Sequence, residues 1–282
     1  MKLLVGYDGS DGGRDALELT RVIAEATGAG VLVVSVLPYG PLPLPYQTLK
    51  EEEHERTQPL LEEAKERLRS REVETRAFGG GSPAGVINDL AEREEIDTIV
   101  IGSAHRGAIG RTLIGSVANG LLHGAPCEVV VAPKGYASDL QDPFRTIAVA
   151  FDDTPEAEAA LKRAEAIALA CRATIVVLTV TAPPTAVPGS AGYAPANPPD
   201  AGAIVTRTVK AVDERLAATG RALAGAPGPK IVEACEEAGA DLLVAGSRGY
   251  GPVLRALLGS VSTQLVHNAP CPVLVVPRPE SR

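Results

Sequence analysis

The residues best suited to chemistry lie near the C-terminus, in the run GSRGYGPVLRALLGSVS. Gly246 is followed three residues on by Gly249, and nine residues separate Gly249 from Gly259-Ser260. Glycines just past a strand let the backbone come close to a ligand and adopt positive φ. Gly259-Ser260 stands where an apolar-periodic helix should begin. Unpaired N–H groups and the helix dipole there favour an anion. The hydroxyls of Ser260 and Ser262 add donors. A lone GxxG is usually a turn before a helix, but the full GxxGx₉G[ST] spacing, begun at a strand end, points to a cradle for a phosphate chain.

The same pattern recurs earlier. One offset, 144 positions, aligns the two halves of the chain. Asp8 falls on Asp152, Gly102 on Gly246, Gly115-Ser116 on Gly259-Ser260, His123 on His267 and Cys127 on Cys271. A single register from end to end identifies a gene duplication. The first copy reads GSAHRGAIGRTLIGSVA, with His105 where the pattern expects glycine. Positive φ at that position would cost a histidine energy, so two sites of unequal affinity are expected, with the second half the stronger.

The elements that must hold these residues can be read in one half. Short β-branched runs at 2–7, 31–37, 97–101 and 128–132 read as buried strands, and the alternating run at 73–78 as an edge strand. Helical stripes lie between them: Ala16, Leu17, Thr20, Ile23 and Ala24; Leu60, Leu61, Ala64 and Leu68; Val86, Ile87, Leu90 and Ala91; and Leu113, Ile114, Val117 and Leu121. Ser82-Pro83 reads as an N-cap with proline at the first helical position. Gly124 and Asn268 read as left-handed closures of the last helix in each half. The result is β-α-β-α-β-α-β-α-β twice: two tandem five-stranded parallel-sheet domains of α/β, Rossmann-like class. The boundaries read as 1–137 and 145–282, joined by a polar linker at 138–144. Ligands in such sheets bind at the carboxyl ends of strands, where strand order reverses. Proline-rich stretches after each second strand, 38–46 and 181–200, read as surface loops.

Bulk properties narrow the classes. With 282 residues, 45% apolar and 3% aromatic, the cores must be aliphatic. A net charge of −8 disfavours a nucleic-acid partner. The four cysteines form no CxxC pair and read as small buried thiols, which argues against zinc. The short apolar N-terminus and the lack of any bilayer-length run lead us to expect a cytoplasmic, non-membrane chain.

Other motifs carry less. GSDGGRDA, 9–16, is superficially like the phosphate loop of ATP pyrophosphatases, but the second copy has DTPEAEA there, without glycine. GGGSP at 79–83 does not follow the first strand, so a nicotinamide cofactor is disfavoured. His123 and His267 read as helix-end caps. The acidic run Glu51–Glu55 reads as a solvated helix start. Cys127 and Cys271 read as structural thiols, with a redox link between halves as the alternative. Asp152 has two readings, a ligand contact or a turn before the first helix.

The aspartate after strand one, the glycine loop after strand four and the A-P-C-x-V final strand together resemble the ATP-binding branch of the universal stress protein family, twice over. The resemblance implies that Asp152 contacts nucleoside, with Ala150 alongside, and that Val180 lines adenine. Gly246, Ser247, Arg248 and Gly249 would wrap ribose and phosphates, and Gly259, Ser260, Val261 and Ser262 would hold the phosphate tail. In the first half the same roles fall on Gly6, Asp8, Val36, Gly102, Ser103, His105, Gly115, Ser116 and Val117. It further implies ATP, with Mg²⁺ as its companion, a final-strand pairing that makes the chain an intramolecular pseudo-dimer, and further homodimerisation. No protein residues are assigned as metal ligands. The expected function is nucleotide-dependent regulation in a stress response. The alternatives are a slow ATPase or phosphotransferase, and an interaction scaffold with a vestigial site.

Overall fold

The computed structural model describes residues 1–37, 46–68, 72–103, 114–138, 140–181, 200–247 and 258–277, with side chains in the second helix described from residue 55 onward. The first half runs β1 (Lys2–Gly6), α1 (Asp11–Thr27), β2 (Gly30–Leu37), α2 (Tyr46–Leu68), β3 (Val73–Gly79), α3 (Pro83–Arg93), β4 (Thr98–Gly102), α4 (Ser116–Gly124) and β5 (Glu128–Ala132). The second repeats it as β6 (Thr146–Ala150), α5 (Pro155–Cys171), β7 (Thr174–Thr181), α6 (Ala201–Ala211), β8 (Ala218–Ala224), α7 (Pro227–Ala238), β9 (Leu242–Gly246), α8 (Ser260–Asn268) and β10 (Val273–Val276).

The ten strands form one sheet in the order β3-β2-β1-β4-β5-β10-β9-β6-β7-β8. Pairing is parallel within each half and antiparallel only where β5 meets β10, with Val131 opposite Val273 and Val129 opposite Val275. The apolar final strands thus cover each other's edges, which leaves β3 and β8 as the outer strands. One core holds α1, α2, α5 and α6 on one face of the sheet; the other holds α3, α4, α7 and α8 on the opposite face. The halves are therefore related by a twofold axis normal to the sheet.

Local sequence explains the helix ends. The Ser10 hydroxyl caps α1 by accepting from the Gly13 N–H at 3.1 Å, and Thr154 caps α5 from Ala157 at 3.2 Å. The Ala16, Leu17, Thr20, Ile23 and Ala24 stripe is wholly buried, as its spacing requires. The segment joining the halves is docked on α1. Asp15 accepts from the N–H groups of Gly135 and Ala137, the Glu18 carboxylate accepts from Gln141 N–H, and Phe144 is fully buried.

Several expectations need correction. Gly124 and Asn268 are the last helical residues but not left-handed closures. The chain leaves each helix through an extended Ala125 or Ala269, at φ −67° and −64°. The following prolines impose this, because their rings disfavour α geometry in the residue before. Ser82 precedes Pro83 as expected, but its side chain makes no cap bond. Ile114 lies ahead of α4, while Leu113 lies outside the described residues. The repeat is not gapless. Val31 pairs with Val73 and its equivalent Ile175 with Ala218, so the third strand slips to an offset of 145 before Pro83 and Pro227 restore 144. Cys235 and Cys271 are buried, but Cys127 and Cys171 are only partly so. Burial pushes the Cys127 and Cys235 thiols up to about 12. The antiparallel register sets Cys127 and Cys271 at opposite ends of the β5–β10 pair, roughly 20 Å apart by strand rise, which excludes a disulfide between them.

Candidate functional site

In each half β1 or β6 lies between its second and fourth strands, so strand order reverses there. A cavity opens at the carboxyl end of each reversal. The first is about 480 Å³, and the expected residues Gly6, Asp8, Val36, Gly102, Ser103, Gly115, Ser116 and Val117 all line it. The second is about 250 Å³ and is lined by Ala150, Asp152, Val180, Gly246, Gly259, Val261 and Ser262. Ser260 opens α8 but is exposed and does not line the cavity. Ser247 is buried and also stands apart from it, because its N–H joins the sheet through the Val276 carbonyl at 2.8 Å. His105, Arg248 and Gly249 lie outside the described residues.

The carboxylates after the first strands serve the local turn. Asp8 accepts from the Ser10 N–H at 3.0 Å and from its hydroxyl at 2.5 Å, and Asp152 accepts from the Thr154 hydroxyl at 2.6 Å. Between each pair lies a left-handed residue, Gly9 at φ 76° and Asp153 at φ 63°. Aspartate is one of the few side chains that visit that region readily. Both readings of Asp152 therefore meet in one residue: it shapes the turn and also faces the cavity.

The strand-four glycines have a different role from the one their spacing suggested. A Cβ at Gly102 would stand 1.8 Å from the Gly12 carbonyl oxygen, and one at Gly246 would stand 2.7 Å from the Glu156 carbonyl. They let β4 and β9 approach the first turns of α1 and α5. The close neighbour is the protein's own backbone, not open ligand space.

Gly115 and Gly259 are extended N-caps with φ −67° and −66°, so α4 and α8 direct their first N–H groups toward the cavities. The Ser103 hydroxyl is buried in the first cavity's wall without a hydrogen-bond partner. Tyr7, in the same wall, is pushed up to about 12 by burial and by Glu63, so it is a neutral phenol. Its second-half equivalent is Phe151. Among the described residues no group of three His, Cys, Asp or Glu is arranged to hold a metal, and no helix is long and apolar enough to cross a membrane.

Sequence reasoning missed several wall residues. Gly12, Gly13 and Arg56 line the first cavity, and Glu156 and Ala157 the second. Pro83 and Pro227, at the starts of α3 and α7, line both. The 144-residue offset held the signal for Gly12 and Glu156. Arg56 gave none, being one charge on a charged helix.

A doubly wound sheet with a cavity at each reversal defines a tandem α/β protein of nucleotide-binding architecture. The universal stress protein family model matches residues 1–133 and 143–277. The chain belongs to that family, as two consecutive copies. A universal stress protein of Mycobacterium tuberculosis is 26% identical over 303 residues, covering 98% of this chain and all of the relative. One from Thermus aquaticus is 36% identical over 143 residues, covering 46% of this chain and 96% of its own. The crystal structure of a universal stress protein from Archaeoglobus fulgidus superposes with a TM-score of 0.78 at 23% identity, covering 99% of this chain and 98% of that one, and shares the fold.

Proposed function

We propose that the chain is an adenine-nucleotide-binding regulator, with one site in each half and ATP as the principal ligand. The observation that carries this is the paired cavity at each strand reversal. An apolar strand-two wall at Val36 or Val180 faces the N-terminus of α4 or α8 across it. Such a site takes a flat apolar ring at one end and an anion at the other. The unpartnered Ser103 hydroxyl fits a ligand oxygen, since a buried hydroxyl without a partner is otherwise costly. Asp8 and Asp152 stand where a ribose would lie. Mg²⁺ would arrive with the phosphates. Nucleotide occupancy would act as a population shift, biasing the chain toward the conformation that engages its partners.

The test is calorimetric titration of the full chain with ATP and Mg²⁺. Two sites are expected, and Val36→Trp and Val180→Trp should each remove one by filling the ring end of a cavity. No heat and no displacement of a fluorescent ATP analogue at millimolar ATP, or unchanged binding in both variants, would overturn the reading.

A further inference from the structure

The two cavities are equivalent by duplication but differ in charge and size. The first-half wall has Gly12 in the opening turn of α1. At the equivalent place in α5 the second-half wall has Glu156. The rest of these turns diverges in the same sense. Asp11 and Arg14 of α1 pair at 3.2 Å and balance, whereas α5 carries Glu156 and Glu158 in its first turn. Across the first cavity Arg56 of α2 joins the wall. The residue 144 positions on is Asp200, which caps α6 by accepting from the Gly202 N–H at 2.9 Å. Three replacements, Gly12 by Glu156, Arg14 by Glu158 and Arg56 by Asp200, therefore all move the second half toward negative charge.

Volume follows charge. The first cavity, at about 480 Å³, falls inside the range of roughly 300–1,000 Å³ typical of small-ligand pockets. The second, at about 250 Å³, falls below it, and part of the difference is the Glu156 side chain standing where Gly12 has none.

We infer that the first-half cavity is the site for the phosphorylated adenine ligand, and that the second-half cavity selects against phosphate and takes the uncharged nucleoside. This rests on the adenine-binding reading above and reverses the order of affinities expected from His105. In the first cavity Arg56 meets the phosphates opposite the N-terminus of α4, and the Gly12 backbone leaves them room. In the second, Glu156 occupies that room and adds a carboxylate beside it. The divergence at the first helix, rather than the glycine loop, sets ligand class.

The experiment titrates ATP and adenosine separately into the full chain, as wild type, Arg56→Glu and Glu156→Gln. Arg56 is exposed, and glutamine keeps the shape and hydrogen-bonding oxygen of Glu156, so both variants should fold; far-UV circular dichroism checks that. Arg56→Glu should weaken the tight ATP site by at least about fivefold, roughly what one unit charge at contact distance supplies in water, and leave adenosine unchanged. Glu156→Gln should tighten the weak ATP site by a similar factor and leave the tight one unchanged. An unchanged tight ATP site in Arg56→Glu, or the same ATP-to-adenosine preference at both sites, overturns the inference while leaving adenine binding intact. Binding of neither ligand overturns the adenine reading itself.

Discussion

Gly102→Ala separates two roles that one glycine could have. If Gly102 cradles a ligand, a methyl group there should weaken nucleotide binding and leave folding alone. If it lets β4 approach α1, the methyl should destabilise the fold. A Cβ at Gly102 stands 1.8 Å from the Gly12 oxygen and 2.4 Å from its carbonyl carbon. Non-bonded heavy atoms prefer roughly 3.5–4.0 Å, so about 1.5–2 Å must be opened between two backbone segments. Both are fixed, one by the sheet register of β4 and the other by the Ser10 cap of α1. Overpacking of a tight core costs about 1–3 kcal/mol, and with no flexible side chain to yield we expect the upper end. At about 2–4 °C per kcal/mol for chains of this order, the melting temperature should fall by about 6–12 °C. Gly246→Ala should cost less, because its nearest neighbours are at 2.7 Å. Urea and thermal unfolding followed by circular dichroism measure this, with ATP affinity titrated in parallel. Stability within about 0.5 kcal/mol of wild type, the range of ordinary surface changes, together with lost ATP affinity would refute the packing argument.

Further outcomes follow from the same structure. Ser10→Ala and Thr154→Ala each remove a side-chain cap and should cost about 1 kcal/mol in urea unfolding. Phe144→Ala empties a fully buried ring site where the linker joins the core and should cost about 3–5 kcal/mol; a cost below 1 kcal/mol would mean that the linker is not anchored there. Hydrogen bonds from Arg76 and Lys2 hold the Glu94 carboxyl at about 2, and those from Arg215 do the same for Asp213. Folded values below the unfolded ones stabilise the fold above the ordinary carboxylate range of about 4 and lose that contribution as pH falls toward 2. The urea midpoint should therefore drop between pH 5 and pH 2, less steeply in Arg76→Met. Cys127 and Cys235 should resist alkylation at pH 8 until the chain is unfolded, because burial holds both thiols at about 12.

The sequence made most of the architecture legible, because the strands are short β-branched runs and the helices carry clear stripes. The β3 edge position was readable from the alternation of 73–78 alone. What escaped depended on contacts that spacing does not encode. Gly102 looked like a ligand glycine because it sits at a strand end, yet its nearest neighbour is Gly12, ninety residues away in the chain. Gly124 and Asn268 had the residue types of left-handed closures, but the proline two positions later decides how the chain leaves the helix. Phe144 was hidden in a polar stretch. GSDGGRDA was set aside because its second copy lacks glycine, and that same difference is what distinguishes the two cavities.

The antiparallel junction also fixes how the halves can influence each other. Because β5 and β10 run in opposite directions, the carboxyl ends of the two sets of strands, and so the two cavities, open at opposite edges of the sheet. Ligands in them cannot touch. What connects them is α1 packed on α5 and the contact of α5 with β5, where the Arg163 Nε donates to Glu128 at 2.8 Å and the Thr98 hydroxyl donates to the same carboxylate at 2.9 Å. Each of these helices has its first turn in its own cavity and runs about 25 Å from there at 1.5 Å per residue. A ligand that displaces the first turn of α1 therefore pushes on a rigid element that packs against its counterpart in the other half. Arg163 joins α5 to the strand that closes the first half's sheet. Coupling between unlike ligands needs such a shared element with different contacts in its two positions, and the duplicated first helices are where this fold supplies it.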